Sequence, residues 1–149
     1  LVIDRFDQVI VVQISNAGIE LLLEELLEAI NQVAPKLNIL LKNDGKMRAI
    51  EGLDEYVRVA QGEVPKLVPL KENGVSFLAP VWEGQKTGWF YDHRLNRRRV
   101  QKLAHGKRVL DVFSYTGGWG VQAAAAGAEA VICVDASAQA LDLVDHQAA

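Results

Sequence analysis

Leu110–Gly120 reads LDVFSYTGGWG, and the strand it leaves and the helix it opens decide the fold of the second half of the chain. Arg108–Phe113 is a continuous apolar run, the type buried on both faces in a parallel sheet. Ser114–Gly118 makes a turn, and Trp119–Ala126 is a helix of small residues that Gly127 stops. Ala130–Val134 is a second buried-type strand ending in Asp135, and Ser137 is placed to cap the helix that follows. The order strand, turn, helix, strand, helix opens a doubly wound α/β domain.

Upstream, Lys86–Arg94 reads KTGWFYDHR, aromatic with charged ends. A helix is expected over His93–Ala104, broken by Gly106. The preferred boundary is Gly84-Gln85, giving domains 1–84 and 85–149. In the first, Leu1–Phe6 and Val9–Ile14 flank Asp7-Gln8 as a hairpin. Ile19, Leu22, Leu23, Leu26, Leu27, Ile30 and Val33 form one helical stripe, capped by Ser15 or Asn16 and ended by Pro35. Glu20, Glu24 and Glu28 lie on the other side as a solvated acidic face. Asn38–Leu41 is a short strand. Leu67–Leu70 and Val75–Pro80 flank Asn73-Gly74, a tight hairpin turn. This is a small α+β unit with a largely antiparallel sheet.

The chain has 149 residues, half of them hydrophobic, with 23% charged. That is enough to build a core and argues against disorder. The apolar runs are far shorter than a membrane span, so no membrane role is expected. The single cysteine, Cys133, cannot form an internal disulfide, and a reducing, cytoplasmic setting follows. Residues 1–84 carry 8 Lys/Arg against 13 Asp/Glu, whereas 85–149 carry 8 against 6. The second half is therefore where an anionic partner is expected. The chain starts inside a strand pattern without Met and stops inside a helical one. It is expected to be a piece of a longer protein, with an open sheet edge prone to self-association.

Ligands of doubly wound folds sit beyond the C-terminal ends of the strands. Gly117 and Gly118 would let the backbone approach such a ligand. The amides of the following helix would face a polar or anionic group. Asp135 stands 24 positions after Asp111, at the end of the next strand, where a carboxylate accepts hydrogen bonds from ribose hydroxyls. The dinucleotide pattern G-x-G-x-x-G is absent. Laid over the common methyltransferase pattern LDxGxGxG, the segment keeps Asp111 and Gly117 and puts Phe113 and Tyr115 in place of two glycines.

Together, KTGWFYDHR, LDVFSYTGGWG and VDAS (Val134–Ser137) resemble KTGxFLDQR, LNxFSYTGGF and VDxS. These are the patterns of a family of AdoMet-dependent RNA methyltransferases, the group of ribosomal RNA large subunit methyltransferase I. Tyr91 and His93 depart from it, where Leu and Gln are commoner. The resemblance covers the whole chain. It implies a central strand-strand-helix-strand-strand domain followed by the first part of a Rossmann-like class I methyltransferase domain. It also implies S-adenosyl-L-methionine as cofactor, 23S ribosomal RNA of the large subunit as partner, and methylation at a cytosine C5.

On this reading Asp135 and Asp111 are the leading cofactor-binding residues. Phe113, Ser114, Tyr115, Gly117 and Gly118 line the cofactor, and Ser137 follows Asp135 in the motif. The resemblance adds Lys86, Thr87, Asp92 and Arg94, which would fold over the site; from chemistry alone Asp92 and Arg94 could equally pair with each other. Arg97, Arg98 and Arg99 are candidates for RNA phosphates. Cytosine-C5 chemistry needs a thiolate that adds to C6. Cys133, inside an apolar strand, suits a small hydrophobe instead. The resemblance places the nucleophile beyond residue 149, so no catalytic residue is expected here and the chain alone should be inactive. The three histidines show no metal spacing. An NAD-dependent oxidoreductase and a non-enzymatic RNA-binding module remain as alternatives.

Overall fold

A computed structural model describes residues 1–148. They form two compact units, Leu1–Pro69 with Ala79–Trp89, and Leu70–Leu78 with the chain from Phe90 onward. The tip of the second hairpin thus belongs to the second unit, and the chain leaves the first unit beyond the expected boundary at Gly84.

In the first unit, β1 (Val2–Phe6) and β2 (Val9–Gln13) pair antiparallel. Asp7 takes φ 49° at the turn between them. The predicted single helix is two: α1 (Ala17–Leu21) and α2 (Leu23–Val33). Asn16 caps α1 by accepting from the Ile19 amide at 3.2 Å. The helix then breaks at Leu22, whose ψ is 24°. Ile19, Leu23, Leu26, Leu27 and Ile30 pack on Ile10, Val12, Ile14, Ile39 and Leu41, whereas Leu22 and Val33 are exposed. β3 (Asn38–Asn43) lies parallel to β2. After a short α3 (Met47–Ile50), β4 (Tyr56–Gln61) pairs antiparallel with β3. The sheet order is β1-β2-β3-β4. It is largely antiparallel, as expected, with one parallel pair, β2 and β3, joined by the crossover of α1 and α2. β4 is a strand the sequence reading missed.

Glu20 is not a solvated member of an acidic face. It accepts from Arg48 Nη1 at 2.8 Å and from the Tyr56 hydroxyl at 2.7 Å, while Arg48 also donates to the Ile14 carbonyl at 2.6 Å. Burial alone would raise the Glu20 carboxyl, but these bonds and the Arg48 and Arg58 charges outweigh it and hold the group below the ordinary range. A lowered carboxylate adds stability above its unfolded-state range and loses it as pH falls through the folded one. Acid unfolding followed by circular dichroism should therefore show Glu20→Gln removing part of the stability difference between neutral pH and pH near 3, a contribution of about 1 kcal/mol.

β5 (Leu67–Glu72) and β6 (Val75–Pro80) form the second hairpin around Asn73 and Gly74, both left-handed. In the second unit come α4 (Arg94–Leu103), β7 (Arg108–Val112), α5 (Gly120–Ala125), β8 (Ala130–Val134) and α6 (Ala138–Ala148). β7 and β8 pair in parallel, with Asp111 opposite Cys133. The strands are not buried on both faces. α5 covers the side carrying Asp111, Val131 and Cys133, while Leu110, Val112, Ile132 and Val134 alternate onto a side that stands open. The period-2 geometry of strands separates the two sets.

Candidate cofactor site

The site is built at the ends of β7 and β8. Phe113, Tyr115 and Gly117 all adopt left-handed conformations, with φ of 63°, 49° and 76°. These are the three positions where LDxGxGxG carries glycine. The backbone of the glycine pattern is thus kept although two aromatic residues occupy it. Such a conformation costs a non-glycine residue about 1–2 kcal/mol, and strain of this kind collects at functional sites. Phe113 is 89% exposed, so its ring gains nothing from packing. Phe113→Gly should therefore raise stability by about 0.5–1 kcal/mol, strain relief less the entropy cost of glycine. Thermal unfolding checks this, and a melting point below wild type would refute the strain.

Asp135 clasps the turn. Its Oδ2 accepts from the Tyr115 amide at 2.8 Å and its Oδ1 from the Ser137 amide at 2.9 Å. Asp111 Oδ2 accepts from the Gly120 amide, the first of α5, at 2.9 Å. Burial pushes the Asp111 carboxyl above its ordinary range, and the Asp135 charge adds to this; the Gly120 amide and Arg97 oppose it. The amides of the following helix are expected to face a polar or anionic group; the first of them, at Gly120, is instead held by Asp111, and the Tyr115 amide of the turn by Asp135, so the protein's own carboxylates fix the turn. Each carboxylate oxygen keeps a second lone pair for a hydroxyl or amine donor. Ser137 caps α6 through its hydroxyl, which accepts from the Ala140 amide at 3.2 Å.

Gly117 does not make room for a ligand. A Cβ there would meet methyls of Val121 and Val144 at 2.9 Å, so its role is to let α6 close on the turn. At Gly120 a Cβ would run into Cys133 Sγ, which fixes the close approach of α5 to β8. Gly118 is buried. The hydroxyls of Ser114 and Thr116 are buried in the turn without a hydrogen-bond partner. A turn of alternating left-handed residues, orphaned hydroxyls and a carboxylate at the next strand end fits a ribose-bearing cofactor.

The other predicted residues divide: Asp92 and Arg94 belong to the segment whose Phe90 and His93 meet Tyr115 and Trp119 of the turn, whereas two do not. Lys86 and Thr87 lie in the first unit. Thr87 is fully buried and donates to Asp4 at 2.6 Å, a structural post rather than a ligand contact. Asp92 and Arg94 do not pair: Asp92 lies 3.8 Å from His93 Nε2, and both Asp92 and Arg94 are exposed. Arg97 leaves the set of RNA candidates. It is 4% exposed, with its guanidinium on Glu72 at 2.6 and 3.1 Å and on the Phe90 carbonyl at 2.5 Å. Arg98 and Arg99 remain exposed. Cys133 is half-buried, and burial with the Asp111 and Asp145 charges raises its thiol away from the thiolate. A cleft of about 280 Å³ between α5, β8 and α6 contains none of the predicted residues. Among the described residues no cluster could hold a metal, and no helix is long and apolar enough to cross a membrane.

The profile of the S-adenosylmethionine-dependent methyltransferases matches residues 24–146. The chain belongs to this family. It is 41% identical to ribosomal RNA large subunit methyltransferase I of Aeromonas salmonicida, over 99% of this chain and 38% of that protein. A structure assigned as a SAM-dependent methyltransferase from Streptococcus mutans matches with a TM-score of 0.83 at 28% identity, covering 97% of this chain and 37% of that one. A methyltransferase structure solved with SAH matches to the same extent, with TM-score 0.83, 28% identity and the same shares of each chain. The chain thus spans under two-fifths of these methyltransferases. Its cofactor is S-adenosylmethionine, and its fold is the Rossmann-like one expected.

Of the rings that meet around the turn, the sequence assigns a role to Tyr115 but none to Phe90, His93 or Trp119. Phe90 meets Tyr115 edge-on at 5.7 Å, and His93 lies 5.9 Å from Trp119. Their spacing, 90 with 93 and 115 with 119, is the available signal. Glu72 was equally silent, an acid at the end of an ordinary hairpin strand.

Proposed function

We propose that Asp135 holds the ribose of S-adenosylmethionine and that Asp111, Phe113, Ser114, Tyr115 and Gly118 shape the rest of its cradle. We extend this to a whole protein, cytoplasmic, that methylates a cytosine C5 of large-subunit ribosomal RNA. The observation that carries the cofactor reading is the Asp135–Tyr115 clasp on a turn with three left-handed residues. The name of the Aeromonas relative supports the RNA. When bound, the cofactor supplies an electrophilic methyl group on sulfonium. The chain's own residues bind and orient it.

Among the described residues Cys133 does not suit attack on cytosine C6, since its thiol is raised and its sulfur faces Gly120. The chain alone should therefore bind without catalysing. Calorimetric titration with S-adenosylhomocysteine, with NADH in parallel, tests the cofactor. Binding of NADH alone would sink the reading and favour the oxidoreductase. Methyl transfer to ribosomal RNA by this chain would overturn the claim of inactivity.

The open face of β7 and β8 bears Leu110, Val112, Ile132 and Val134, exposed by 46–64%. Apolar patches of this kind drive association. Light scattering should find the chain self-associated, and Ile132→Lys should shift it to monomer; a monomeric wild type refutes this.

A further inference from the structure

Beside the cofactor turn, four rings of the second unit converge. Phe90 is 5.7 Å from Tyr115 and 6.5 Å from His93, and His93 is 5.9 Å from Trp119. They come from two segments, the 3-10 turn Tyr91–His93 with Phe90 just before it, and the turn that leads into α5. The cluster is partly open to solvent: the His93 side chain is 46% exposed and Trp119 is half-buried. Tyr115 is fixed through its amide by Asp135, so the rings are positioned by the same clasp as the cofactor turn. Immediately after His93, α4 carries Arg94 and Arg98, one turn apart and both exposed. Asp92 adds an exposed carboxylate beside the histidine.

Unpaired RNA bases are held by stacking on aromatic and histidine rings, with cationic side chains on the adjoining phosphates. A carboxylate can accept from an exocyclic base amine. From this juxtaposition we infer that the Phe90–His93–Tyr115–Trp119 cluster is a stacking platform for an unpaired base of the RNA substrate, and that Arg94 and Arg98 take its flanking phosphates. The inference rests on the RNA reading proposed above.

The test uses the 149-residue chain with a short unstructured oligoribonucleotide and the same oligomer made abasic. Anisotropy titration should show Trp119→Leu weakening the base-bearing RNA about tenfold and leaving the abasic one unchanged. His93→Gln, at a half-exposed position with little packing to lose, should act the same way by about threefold. Arg98→Gln should weaken both RNAs alike and lower the salt slope by about 0.7. Affinity for S-adenosylhomocysteine should not move in any variant. A loss of that affinity would assign the rings to the cofactor and overturn the platform. So would equal losses on both RNAs, no loss at all, or cofactor binding by a wild type that binds no RNA. A wild type that binds neither would instead overturn the functional reading beneath it.

Discussion

Asp135→Ala should lower the affinity for S-adenosylhomocysteine by about a hundredfold or more. Two hydrogen bonds from ribose hydroxyls to a charged acceptor are worth about 1.5–3 kcal/mol each. The substitution also removes the acceptor of the Tyr115 and Ser137 amides, at 2.8 and 2.9 Å, so the turn would lose its clasp as well as the proposed ligand contact. Asp135→Asn separates the two losses. One amide oxygen can still accept from one of the two backbone donors, but the NH2 group faces the other. Its affinity should fall between alanine and wild type, about tenfold below the latter. Calorimetry on the three proteins measures this directly. Alanine binding like wild type would show that the carboxylate does no more than close the turn.

That Asp135 was legible in the sequence, and the clasp was not, has a physical cause. A carboxylate ending an apolar strand announces itself, because burying it without a partner is costly. Which amide it takes depends on the path of the turn, and that path is unusual. Phe113 and Tyr115 take a conformation that L residues seldom adopt, so the pattern could only report glycines missing. The apolar periods gave the order β7, α5, β8 and α6 nearly to the residue, because strand and helix repeats are local properties. The same periods could not say that one sheet face stands open, since Leu110 and Val109 look alike in sequence. β4 escaped for the opposite reason: Tyr56–Gln61 interleaves Arg58 and Gln61 with apolar residues and is half-buried except at the exposed Arg58. Glu20 and Arg48, and likewise Glu72 and Arg97, are joined only by tertiary structure, and no spacing rule connects them.

The Glu72–Arg97 pair carries the second large expectation. Glu72 is 1% and Arg97 4% exposed. Glu72 Oε1 also accepts from Gln122 on α5 at 2.9 Å, and Gln122 Oε1 accepts from Asn73 at 2.9 Å. Asn73 in turn donates to the Arg94 carbonyl at 3.0 Å. The hairpin tip, α4 and α5 therefore meet in one polar network inside the second unit, buried at Glu72, Arg97 and Gln122. Removing one ion of a buried pair leaves the other without compensation and costs about 3–5 kcal/mol. Arg97→Met and Glu72→Leu should each lower the melting temperature by about ten degrees. Replacing both removes both charges, and the double variant should recover a large part of the loss, short of wild type because the Phe90 carbonyl and Gln122 still lose a partner. Strict additivity of the two losses would show that the pair is not coupled. The same variant decides what this arginine is for. If Arg97 belongs to the fold, Arg97→Met leaves the salt slope of RNA binding unchanged at a temperature where it is folded. A phosphate contact would lower that slope by about 0.7 on single-stranded RNA.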